Sequence, residues 1–140
     1  MRPGLTHVVS MTKERAATVT AAIGAGLLFG TAGFHLSVYS PVVAQAPTDL
    51  RPLMAAAWVA VGVSLIVSAL LAVAATPLFI ARRRALLGIA ALTPASIAVL
   101  QIAYLGFLPP TALLLFDAVV LVVAGELGRA YQPRPVPRQD

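Results

Sequence analysis

The chain has no cysteine. That excludes disulfides, thiolate metal sites, iron–sulfur clusters and a cysteine nucleophile, and it leaves the redox compartment undetermined. Charge is scarce too. Charged residues make up 11% of the 140 residues, and five of them are acidic. An ordinary soluble domain carries about 25%. There is one tryptophan, and one histidine (His35) inside an apolar run. A lone histidine does not make a zinc site. No nucleophile elbow, phosphate-binding loop, zinc-ligand spacing or dinucleotide fingerprint is present. The pI of about 10.8 looks like a nucleic-acid signal but is not one, because the basic residues sit at the ends of apolar runs and not on a stripe interleaved with aromatics.

What remains is hydrophobic. Apolar residues reach 59% and the mean hydropathy is +0.91. They are gathered in four runs, at residues 16–38, 53–75, 85–108 and 110–130. A helix needs about 20 residues to cross about 30 Å of hydrocarbon. Each run meets that length, so the sequence predicts an all-α integral membrane protein, a four-helix up-down-up-down bundle. Residues 1–15 are expected as a cytoplasmic N-terminal segment, 16–131 as the membrane domain, and 132–140, with three prolines and two arginines, as a disordered cytoplasmic tail.

Orientation follows from the ten Lys and Arg residues. Arg2, Lys13 and Arg15 precede the first run, Arg82, Arg83 and Arg84 separate the second and third, and Arg129, Arg134 and Arg138 end the chain. Only Arg51 lies in the first connector. Nine of the ten fall on one side if both termini and the middle loop are cytoplasmic, as the positive-inside rule requires. Arg82, Arg83 and Arg84 are expected to anchor that loop at lipid headgroups. The basic start, the apolar run and Ala44-Gln45-Ala46 imitate a secretory signal, but the run exceeds a 7–15-residue signal core and Pro47 would follow the cut, so no cleavage is expected.

Proline marks the boundaries. The first helix is expected to end near Tyr39-Ser40-Pro41 and the second to begin after Arg51-Pro52. Pro109-Pro110 predicts a tight hairpin between the last two spans. Pro94 is expected to kink the third span.

Two kinds of residue could carry function. Gly26, Gly30 and Gly33 share one face of the first span with Ser37, and small residues let membrane helices approach closely. The opposite face carries Gly24, Thr31, His35 and Tyr39. The GxxxG face is expected to make a close helix contact, within the chain or between protomers. Secondly, polar residues gather at one depth. His35, Trp58, Gln101, Tyr104 and Asp117 all lie within about 5–11 Å of the exterior boundary, counted at 1.5 Å per residue.

Asp117 is the sharpest of them, since both its flanks are wholly apolar. A membrane aspartate costs about 2.5–3.5 kcal/mol at a helix centre and must face protein or find a partner. His35 is the natural partner. Leu113, Leu121, Ala124 and Gly128 share the Asp117 face and are expected to be buried with it. Two readings stay open. His35, Gln101, Tyr104 and Asp117 could form a hydrogen-bonded cluster that fixes helix register. Alternatively His35 and Asp117 could transfer protons, or His35 could ligate haem or a metal with Asp117 behind it. Trp58 and Tyr104 also suit an interfacial aromatic belt. Ser64, Ser68, Thr93 and Ser96 are expected to satisfy their hydroxyls on their own helix carbonyls, and Glu126 to pair with Arg129 or reach the interface.

The order of Gly33-Phe34-His35, Tyr39-Ser40-Pro41, Leu50-Arg51-Pro52-Leu53 and Ala57-Trp58 resembles a broad class of small bacterial four-helix inner-membrane proteins. That resemblance implies a fold and a bacterial inner membrane, and no activity. The chain is similar in size and span number to styrene oxide isomerases, which bind haem through a membrane histidine, but it carries none of their local motifs. The first functional expectation is a non-enzymatic accessory or assembly subunit of a membrane complex, with the bilayer and a further membrane protein or a second copy as partners. The second is a membrane-embedded enzyme or carrier for a small lipophilic molecule, working at His35 and Asp117, with haem as the candidate cofactor.

Overall fold

The computed structural model describes the backbone over residues 3–78, 80–106 and 108–129, and side chains over 14–78, 82–106 and 108–127. The expected tail at 132–140, and the side chains of Arg2, Lys13 and Arg129, lie outside the described residues. Five helices follow one another: α1 (Pro3–Ser37), α2 (Tyr39–Gln45), α3 (Arg51–Ala75), α4 (Ile80–Leu105) and α5 (Pro109–Arg129). Four of them contain stretches long and apolar enough to cross a membrane: Glu14–Ser37, Arg51–Ala75, Arg82–Leu105 and Pro109–Leu127. The chain is an all-α, multi-pass membrane bundle of four spanning helices. Each spanning helix packs on two others, α1 and α4 each lying between α3 and α5.

Local chemistry explains the breaks. Pro3 opens α1 in the first turn, where its missing N–H removes no bond. No breaker follows, so the helix runs through the N-terminal segment, which extends α1 and does not stand apart from it. Pro41 cannot donate to the Ser37 carbonyl, and α1 stops at Ser37. The same proline then fits the first turn of α2. Bonds from Val38 N–H to the Phe34 carbonyl and from Val42 N–H to the Val38 carbonyl carry the chain across the joint. The first connector therefore contains a short helix, α2. Arg51 closes α2 by donating to the carbonyls of Ala46 at 3.1 Å and Ala44 at 3.2 Å. Cations suit helix C-termini, and this contact accounts for the one arginine on that side of the bundle.

The α4–α5 hairpin is tight. Gly106 takes φ +80, a left-handed conformation that ends α4 without a Cβ penalty. Pro109 and Pro110 begin α5, and Thr111 Oγ1 accepts the Leu108 N–H at 3.3 Å, so a third-position side chain satisfies the cap donor. At the other end of the bundle, Arg83 is buried and donates to the Thr76 carbonyl that ends α3. Arg84 meets Glu126 of α5 at 2.8 Å, so two of the three arginines expected at headgroups tie helix ends together. Arg82 is exposed.

The core is built from small residues. Ala21, Ala25, Ala69, Ala72, Ala90 and Ala124 are buried around Leu28, Leu65, Leu87 and Leu121. Lipid is as apolar as leucine, so membrane helices associate through close van der Waals packing, and alanine permits that approach. Pro94 is fully buried within α4, which continues on both sides of it.

Candidate functional site

Four of the five polar candidates, Asp117, His35, Trp58 and Gln101, occupy three separate contacts, each joining one pair of helices. Thr31 of α1 donates its hydroxyl to Asp117 Oδ2 of α5 at 3.0 Å. Asp117 is 0% exposed. Its second oxygen, Oδ1, is buried and has no hydrogen-bond partner among the described residues. Of the stripe expected beside it, Leu121 and Ala124 are buried but Leu113 is exposed. The buried face is turned instead through Leu114 and Ala118. The surroundings of Gly128 lie outside the described residues.

His35 does not reach Asp117. It stacks on Trp58 of α3, with ring centroids 4.1 Å apart and planes 9° from parallel. Trp58 Nε1 donates to the His35 carbonyl at 2.7 Å. His35 Nε2 lies 2.9 Å from the Trp58 carbonyl. A carbonyl only accepts, so Nε2 carries the proton and donates, which fixes the tautomer. The pair of side chains thus holds α1 to α3 by two reciprocal bonds and one stack. Trp58 was expected at an interfacial belt; it lies half-buried in this contact.

Gln101 and Tyr104 were expected to join His35 and Asp117 in one cluster. Gln101 Oε1 accepts from Thr111 Oγ1 at 2.8 Å, a contact between α4 and α5. Tyr104 is 81% exposed and belongs to the outer surface. Three members of the expected cluster are therefore divided among the α1–α5, α1–α3 and α4–α5 interfaces, and the fourth, Tyr104, lies outside them.

The reason is one of register. His35 lies two residues from the end of α1, about 3 Å along its axis, and Thr31 about 9 Å. Asp117 lies eight residues into α5, about 12 Å. Thr31 is one turn deeper than His35 on the same face, and it is the residue that Asp117 meets. Its position on the His35 face was visible in the sequence, but a hydroxyl drew less notice than an imidazole.

This geometry bears on the haem and metal readings. Nε2 of His35 is committed to a backbone carbonyl, and an indole covers one ring face. The residues present do not fit a haem ligated through Nε2 with Asp117 behind it. Among the described residues no group of three His, Asp or Glu side chains is placed to hold a metal ion.

The GxxxG residues face outward. A Cβ built on Gly26, Gly30 or Gly33 would meet nothing within 4 Å, so the expected close contact is not made within the chain. The close approaches fall at Gly24, whose Cβ would lie 2.7 Å from Leu121 Cδ2, and at Gly62, 2.6 Å from Leu36 Cδ2.

Comparison with protein-family models, with curated proteins and with solved structures finds no match.

Asp117→Asn is expected to leave the bundle folded. The amide oxygen still accepts from Thr31, and the cost of a membrane charge is removed. Unfolding in mixed micelles should show a stability within about 1 kcal/mol of wild type, or above it. A loss of more than about 2 kcal/mol would mean that the carboxylate itself holds the bundle together.

Proposed function

We propose that the chain is a non-enzymatic, polytopic subunit of a bacterial inner membrane, an accessory or assembly component that joins another membrane protein or a second copy of itself. Both termini face the cytoplasm in this reading, since nine of ten Lys and Arg residues then lie inside, as short membrane loops favour. The observation that carries the proposal is the outward face of α1. Gly26, Gly30 and Gly33 are exposed, with open space above them, although the bundle is already closed on the other side of that helix. Membrane helices place small residues where another helix comes close. The polar contacts support the same reading, because each fixes one helix pair and leaves none of the five polar candidates converging with another across a cavity.

The test uses Gly30→Leu in the full chain, solubilised gently from native membranes. Helicity and unfolding should match wild type, while co-purification with the partner, or the self-associated fraction, falls at least tenfold. If wild type and variant both purify as the same lone protomer, the glycine face looks at lipid and the proposal fails.

A further inference from the structure

The interface between α3 and α4 is the least extensive of the four. Midway along it lies an open groove of about 350 Å³, bordered by Ala60 and Ser64 of α3 and by Leu92, Thr93, Ser96 and Leu100 of α4. That volume is at the lower end of the range for small-ligand sites. Ser96 is nine residues from the end of α4, so about 13 Å from that end. The groove sits in the middle of the hydrocarbon.

Its polar groups are unusual for that depth. Ser64 satisfies its hydroxyl on the Ala60 carbonyl at 2.7 Å, as a membrane serine is expected to. Thr93 and Ser96, against the sequence expectation, make no side-chain hydrogen bond among the described residues. Pro94 lies between them and has no N–H, so the Ala90 carbonyl also lacks its helical donor. Unsatisfied polar groups are costly where there is no water. A lipid acyl chain would cover the apolar wall and leave both hydroxyls unpaired. A phospholipid headgroup cannot reach this depth. The complement of two hydroxyl donors above an apolar floor is a flat, lipophilic molecule bearing carbonyl oxygens.

We propose that the α3–α4 groove binds a lipophilic carbonyl compound of quinone-like size, with the Thr93 and Ser96 hydroxyls donating to its oxygen. The site is independent of the glycine face and of the subunit role proposed above.

The single tryptophan makes the test direct. Trp58 is on α3, six residues from Ser64 and about 9 Å along the helix, within range for quenching by a bound quinone. Menadione is titrated into the full chain in detergent, with helicity checked for each variant. Wild type should show saturable quenching. Thr93→Val with Ser96→Ala keeps the shape and removes both donors, and should weaken binding about tenfold. Ser96→Leu fills the groove from an exposed position and should abolish saturation. 2-Methylnaphthalene, the same ring system without carbonyls, should not displace menadione at equal concentration. Linear quenching that is identical in all three proteins would show partition into the micelle alone and overturn the proposal. Equal displacement by the hydrocarbon would overturn the hydroxyl contacts. A change of oligomeric state in Ser96→Leu, with no change in quenching, would show that a partner helix fills the groove instead.

Discussion

Gly24→Leu is expected to destabilise the isolated bundle by about 1–3 kcal/mol, while Gly30→Leu, six residues along the same helix, leaves its stability unchanged. At Gly24 even a Cβ would stand 2.7 Å from Leu121 Cδ2 and 3.3 Å from both Leu121 Cγ and Val120 Cγ1. Leu121 is fully buried and packed among core residues, so it cannot swing away without disturbing α5. A leucine there adds three further carbons to a space already full, and overpacked cores yield by backbone shifts. Gly62 faces a tighter clash, with Leu36 Cδ2 at 2.6 Å and Cγ at 2.9 Å, but Leu36 is half-buried near the end of α1, where the whole side chain has room to turn. Gly62→Ala should therefore cost less than Gly24→Ala. The measurement is the midpoint of unfolding in micelles of increasing SDS fraction. Equal midpoints for Gly24→Leu and Gly30→Leu would show that the outward and inward faces of α1 have been assigned wrongly.

That contrast shows what the sequence could and could not reveal. The two faces of α1 were both visible, one as a glycine stripe and the other as Gly24, Thr31, His35 and Tyr39. Which one turns inward was not, because lipid and an alanine–leucine core present similar chemistry, and hydrophobic patterning has no contrast to report. The four spans were legible because bilayer thickness sets a length that an apolar run must meet. Pro109-Pro110 and Arg51-Pro52 placed helix starts correctly because a first turn loses no hydrogen bond to proline, although Pro94 is accommodated inside α4. Pro41 marked the end of α1 within a turn, and the same residue suits the opening of α2, which the sequence did not show. At the polar contacts the residue types were legible and their pairing was not. Depth counted from helix ends is good to about one turn, and one turn, about 5.4 Å, is the difference between His35 and Thr31 as the partner of Asp117. Arg51, read as a stray charge, became intelligible only when α2 supplied carbonyls for it to close.

Trp58→Ala is the second change with a large expected effect, a loss of about 2 kcal/mol. It removes the Nε1 bond to the His35 carbonyl, and interhelical hydrogen bonds in membranes contribute about 0.6–1.7 kcal/mol. It also removes the stack on the imidazole, and aromatic pairs contribute about 0.5–1.5 kcal/mol beyond area. Trp58→Phe keeps a ring over His35 and loses only the donor, so it should recover part of the stability. His35→Ala should cost about 1–2 kcal/mol by the mirror of these terms. Both variants should loosen the α1–α3 contact at the end of the bundle nearest α2 and leave the Arg84–Glu126 end intact.

Asp117, His35 and Gln101 tie different helix pairs and do not converge on one site. Two double-mutant cycles, measured by unfolding in mixed micelles, test this separation most directly. One combines His35→Ala with Trp58→Ala, the other His35→Ala with Asp117→Asn. In the first pair each hydrogen bond runs to the partner's backbone, so truncating one side chain leaves the other's bond in place. The cycle therefore isolates the stack, and a coupling of about 0.5–1.5 kcal/mol is expected. For His35 and Asp117 the coupling should vanish within about 0.3–0.5 kcal/mol, the scatter of independent sites. A His35–Asp117 coupling above 1 kcal/mol, with none between His35 and Trp58, would contradict the account and restore a shared site.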